Sequence, residues 1–134
     1  MQTALVIALS LHVLSSVFWA GSSFALARTG AAGGEQLVFP QLGAATIAML
    51  TGAYLWHLVH AGSFSTTEQV LALGAVCALI AVCVQVATGP RAVVTLRRGT
   101  GDLAGVRRRI ATAQRVAAGL LGITALCMGA ARYI

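Results

Sequence analysis

Three histidines, His12, His57 and His60, carry most of the chemistry available to this sequence. The other metal-capable side chains are Cys77, Cys83, Cys127, Met49 and Met128, in a chain with nine arginines, no lysine and three acidic residues. A neutral imidazole is a ligand for haem iron, copper or zinc, and soft sulfur ligands select Cu(I). The cysteines form no CxxC pair and no zinc-type spacing, and an odd number leaves at least one thiol free in any intrachain disulfide scheme. Glu35, Glu68 and Asp102 stand singly in segments that read as loops. With no paired carboxylates, no Ser-His-Asp order and no nucleotide fingerprint, the sequence argues against ordinary hydrolytic chemistry.

The elements that must position these residues follow from composition. The 134 residues are 58% hydrophobic and 9% charged, with a mean hydropathy of +0.87. That is the composition of a membrane protein, and the length suits one domain. Four apolar stretches, about 4–27, 38–60, 69–89 and 112–131, each hold about 20 residues, enough for a helix to cross a hydrocarbon core of roughly 30 Å. Backbone polar groups must be satisfied internally in lipid and no period-2 alternation is present, so the expected fold is all-α, an antiparallel four-helix bundle in the membrane. Ala25-Leu26-Ala27 has the look of a signal-peptide cleavage site. Met1-Gln2-Thr3 supplies no positive segment and the apolar run is long, so the first stretch is read as a retained helix.

Orientation follows from the arginines. Arg91, Arg97, Arg98, Arg107, Arg108, Arg109 and Arg115 fall in or beside the connection of about 90–111, which the positive-inside rule places in the cytoplasm. Both termini and the loop of about 61–68 then face outward, an N-out, C-out topology. Gly89-Pro90 is expected to end the third helix, and Gly99 to Gly105 to turn between two short basic segments. The net charge of +6 raises the question of nucleic acid. RRGTGDLAGVRRR has no preceding strand and no following Lys-Ser/Thr, so a role in topology and lipid-headgroup contact is the preferred reading.

His12 can now be placed. On a helix it shares a face with Leu5, Ala8, Ser15, Ser16, Trp19, Ser22 and Ser23, and small and hydroxyl residues face other helices, so His12 is expected to point into the bundle. His57 and His60 lie near the end of the second helix, where Tyr54 and Trp56 are interfacial aromatics. Counted along antiparallel helices, His12 and Cys77 sit roughly 12 Å below the outer boundary, and His57, Cys127 and Met128 roughly 6 Å below it. Most metal-capable side chains therefore share one leaflet.

This clustering suggests b-type haem and electron transfer, with a quinone or another redox protein as partner. His12 and His57 would be axial ligands, with His60 as substitute for His57, and Trp19 would line the site. Arg132 would meet a propionate, although a guanidinium beside Tyr133 also suits headgroups. Ala118, Gly122, Ala125 and Gly129 on the fourth helix, with Gly74, Cys77, Ala81, Gln85 and Thr88 on the third, would leave room for the macrocycle. Two other readings remain open. Copper would be held by His12, Cys77, Cys127 and Met128. In an assembly subunit the histidines would serve only as interhelical glue, and small-xxx-small faces suit a homodimer.

LHVLSSVFWAGSSFALA resembles the opening helix of the copper resistance protein D group of bacterial membrane proteins, with a histidine followed by Trp-x-Gly (His12, Trp19, Gly21). FPQLGAATIAMLTGAYL is similar to the second helix of that group in its Thr51-Gly52 pair, and QRVAAGLLGITALCMGAARYI to the closing helix with Met128 and Arg132-Tyr133. The first helix also resembles that of the bacterial four-helix protoporphyrinogen oxidase, a haem-binding family. That family has a Pro-Arg after its first helix and a lysine in a later one, and this chain has neither. The resemblance implies a bacterial inner-membrane protein with a metal or haem site that uses His12.

Overall fold

A computed structural model describes residues 1–59, 62 and 64–134. It contains four helices: α1 Gln2–Arg28, α2 Gly34–Val59, α3 Thr66–Arg98 and α4 Leu103–Ala131, with no strand among the described residues. All four are long and apolar enough to cross a membrane. The apolar surface agrees with that length. Leu14, Val17, Leu50 and Leu126 are 66 to 74% exposed, which water disfavours and lipid does not.

The helices outrun the apolar stretches at the arginine-rich end. Of 33 residues in α3, the last nine continue beyond Gly89, and α4 begins at Leu103, nine residues before the stretch expected from about 112. The expected terminus at Gly89-Pro90 is thus inside a helix, and the basic connection shrinks to a turn. A proline removes one backbone N–H and crowds the preceding residue. Here that residue is a glycine, which has no Cβ to crowd, and Gly89 is buried against Val38. The stop comes at Gly99, whose φ of 66° is the left-handed C-cap conformation that glycine adopts freely. Asp102 then caps α4 by accepting from the Gly105 N–H at 3.0 Å. At the other end, α3 starts in a capping box of Ser65 and Glu68. The second helix also starts early, at Gly34, with Pro40 inside it.

The most extensive packing is α3 on α4 and α1 on α2, with α1 also on α4 and a thinner α2–α3 contact. Small residues allow this closeness. The central cluster is one large side chain, Trp19, among Ala45, Ala48, Ala78, Ala81, Ala117 and Leu121. Toward the arginine-rich end, Leu26, Val38 and Val93 form a second cluster, and Ala31, Leu96, Ile110 and Ala111 a third. Ala31 has a φ of 66° in the α1–α2 turn and is fully buried. Its methyl group packs into the third cluster, contact that a glycine would forfeit.

Candidate cofactor site

The local geometry of His12 is set by α2. The imidazole is half-buried, and Nδ1 donates to the Ala48 carbonyl at 2.9 Å, with the Thr51 hydroxyl oxygen 3.2 Å away. The Thr51 hydroxyl itself donates to the Ile47 carbonyl at 2.7 Å, so its oxygen faces Nδ1 as an acceptor. In a neutral imidazole, two acceptors at one ring nitrogen favour the tautomer with the proton on Nδ1 and the lone pair on Nε2. Gly52 makes room for the ring, since a Cβ at that position would stand 3.0 Å from Cε1. The Thr51-Gly52 pair therefore seats His12, one residue by hydrogen bonding and the other by absence. Beside it, Ala4, Ile7, Ala8 and Leu11 of α1 and Leu50, Thr51 and Tyr54 of α2 line an open, largely apolar crevice of about 400 Å³.

Seven residues along α1, roughly 10 Å farther along the axis, lies Trp19, only 2% exposed. Its Nε1 donates to Gln85 Oε1 at 2.7 Å. Gln85 Nε2 donates to Ser23 Oγ and to Gln114 Oε1, both at 2.9 Å. Gln114 Nε2 returns a bond to Gln41 Oε1 at 2.8 Å, and Gln41 Nε2 reaches Ser22 Oγ at 3.1 Å and Ser23 Oγ at 3.0 Å. Both serine hydroxyls donate to the Trp19 carbonyl. All four helices contribute to this network, and none of its side chains titrates. Sequence reasoning placed Trp19, Ser22, Ser23 and Gln85 on inward faces but missed Gln41 and Gln114. The available signal was the one used for His12, a polar residue within an apolar stretch.

The remaining candidates are more dispersed. His57 is exposed on α2, and His60 lies outside the described residues. Cys77 and Cys127 are buried free thiols and Cys83 is exposed. Cys127 packs on Gly74, where a Cβ would lie 3.1 Å from its own, and the Thr124 hydroxyl donates to the Gly74 carbonyl at 2.9 Å. Met128 is 43% exposed, away from the buried face that holds Cys127. That face runs through Ala117, Ala118, Leu121, Thr124 and Cys127, so Ala118 of the expected small stripe lies on it, whereas a Cβ added at Gly122 or Gly129 would meet nothing within 4 Å. Arg132 is exposed at the C-cap of α4. No group of three or more His, Cys, Asp or Glu side chains converges among the described residues.

The arginine-rich end is tied by a separate cluster. Arg107 pairs with Glu35 at 2.5 Å and donates to the Ala31 carbonyl at 3.3 Å. Arg97 donates to the Glu35 carbonyl at 3.1 Å, and its guanidinium lies 5.5 Å from the centroid of Phe39. Compared with family models, curated proteins and solved structures, the chain gives no match.

Proposed function

We propose that this chain is an integral membrane b-type haem protein that transfers electrons, with His12 as an iron ligand through Nε2. The supporting observation is the Nδ1 bond to the Ala48 carbonyl. Histidines that ligate metals commonly hold their other ring nitrogen in this way, which fixes tautomer and orientation. Fit differs between places in the fold. The bundle axis does not fit a macrocycle, because Trp19 and its surrounding alanines fill it. The α1–α2 crevice offers apolar walls beside His12. On α2, Leu50, Tyr54 and His57 follow one another at helical spacing, so His57 extends the crevice edge and is our candidate second ligand. When bound, haem would supply one-electron chemistry, with a quinone or another redox protein as partner, while α1 and α2 hold the imidazole. Arg132 would serve a propionate, and the protein would lie in a bacterial inner membrane with both termini outside.

A second reading has its own support. The Trp-Gln-Ser network is internally satisfied and free of titratable groups, as suits an assembly subunit in which His12 only joins α1 to α2. Copper has less behind it, since Met128 and Cys127 are on different faces of α4. One spectrum separates these readings. Protein purified in mild detergent after expression with ample haem should show a Soret band, and dithionite should sharpen an α band. His12→Ala should remove the haem or make it five-coordinate. Colourless protein without metal would favour the assembly reading, and stoichiometric copper without a Soret band would favour copper.

A further inference from the structure

A second groove lies at the opposite end of the bundle from His12, between α3 and α4. It is an open groove of about 630 Å³, with Arg108 and Arg109 at one end and Val84, Thr88, Ala113 and Val116 along its walls. From Gly105 to Val116 it follows α4 for 11 residues, roughly 16 Å of rise. Its polarity is graded, since both arginines precede the apolar stretch while Val84 and Val116 lie within the stretches of α3 and α4. The Thr88 and Thr112 hydroxyls donate to their own helices, to the carbonyls of Val84 and Arg108, so they turn no free donor into the groove.

The guanidiniums at its mouth enter no salt bridge among the described residues, and the Asp102 carboxylate stands beside Gly105 of the groove lining. Of the three carboxylates in the sequence, Glu35 is paired with Arg107, Asp102 caps α4 and Glu68 belongs to the capping box of α3 at the far end. Arg108 and Arg109 are both exposed, and the Arg107–Glu35 pair is the one salt bridge among the described residues. Two adjacent guanidiniums above an apolar trough match a phosphate above an acyl chain.

We propose that this groove is a binding site for an anionic phospholipid, with the phosphate on Arg108 and Arg109 and an acyl chain along Val84 and Val116. The site is independent of the haem reading and rests only on the helices lying in a bilayer. Native mass spectrometry of the full chain, released from detergent with equal phosphatidylglycerol and phosphatidylcholine, reads it directly. Phosphatidylglycerol should be retained preferentially. Each removed guanidinium should weaken retention roughly five-fold, so Arg108→Gln with Arg109→Gln should lower it by more than ten-fold. Arg28→Gln with Arg97→Gln removes the same charge from the same end of the bundle, on α1 and on the side of α3 that meets Glu35 and Phe39 of α2, outside the groove, and should leave retention nearly unchanged. Val116→Trp, at an exposed position, should expel the lipid without changing charge, while circular dichroism confirms the helices. Equal loss in both arginine pairs would reduce the effect to bulk charge and overturn the site. Retention unaffected by Val116→Trp, or abolished by millimolar inorganic phosphate, would overturn the lipid as occupant in favour of a free anion.

Discussion

His12 sits where it does because Gly52 leaves space for its ring and the Ala48 carbonyl claims one of its nitrogens. Gly52→Val should displace the imidazole and break that bond, at a cost of about 1–3 kcal/mol from overpacking. Under the haem reading it should also shift or abolish the Soret band, whereas Gly119→Ala, where a Cβ meets open space, should change neither absorbance nor melting temperature by much. The glutamines give a second test. Gln114→Leu leaves Gln41 Oε1 and Gln85 Nε2 each short of a partner, which costs about 1–3 kcal/mol when the stranded groups are buried. Combining it with Gln41→Leu removes both members of the reciprocal pair. The double variant should therefore melt at a temperature well above that expected by adding the two single losses. The inward face of His12 was readable from its serine and alanine neighbours at helical spacing. The Gln41–Gln114 pair was not, because a chemistry-led search passes over amides and because pairing across helices depends on register.

At the level of elements, α3 is the instructive case. A Gly-Pro step normally reads as a helix end, and the arginines that follow read as a loop. The helix continues because glycine precedes the proline, and because the extended α3 and α4 bury Val93, Leu96, Ile110 and Ala111 against α1, α2 and their connecting turn. Those contacts are tertiary, and a hydropathy pattern diluted by arginine hides them. Val38 is 1% exposed, and a Cβ on Gly89 would stand 2.8 Å from its Cγ1. Gly89→Ala should lower the melting temperature in detergent, by an overpacking cost of about 1–3 kcal/mol. An unchanged melting temperature would mean that the α2–α3 contact yields easily. The buried face of α4 was read only in part for a related reason: Ala118 of the expected stripe is buried, whereas Ala125 and Gly129 are exposed. Its exposed glycines satisfy the small-residue rule as well as the buried alanines do, and only the register with α3 distinguishes them.

For the whole molecule, the four-helix count and antiparallel order were legible because length and hydropathy determine them, while the sidedness rests on charge alone. Eight of the nine arginines (Arg28, Arg91, Arg97, Arg98, Arg107, Arg108, Arg109 and Arg115) belong to the end built from the close of α1 and α3 and the start of α2 and α4; Arg132 stands at the other. At 33 and 29 residues, or roughly 50 and 44 Å, α3 and α4 exceed a hydrocarbon core of about 30 Å, so they can carry these charges beyond it. Retention of basic residues on the cytoplasmic side then predicts the orientation. In a background with Cys77, Cys83 and Cys127 changed to alanine, Thr29→Cys and Thr100→Cys should react with a membrane-impermeant maleimide only after permeabilisation. Phe64→Cys, at an exposed position before α3, should react in intact cells. The reverse pattern would put His12 and its crevice near the cytoplasmic surface and the two-arginine groove in the outer leaflet. It would leave the fold unchanged, because every helix contact is internal to the chain, but it would reverse the side from which a redox partner must approach. Labelling from both sides at Thr100 would instead indicate mixed insertion, the outcome expected if eight arginines against one were too weak a bias to set the topology.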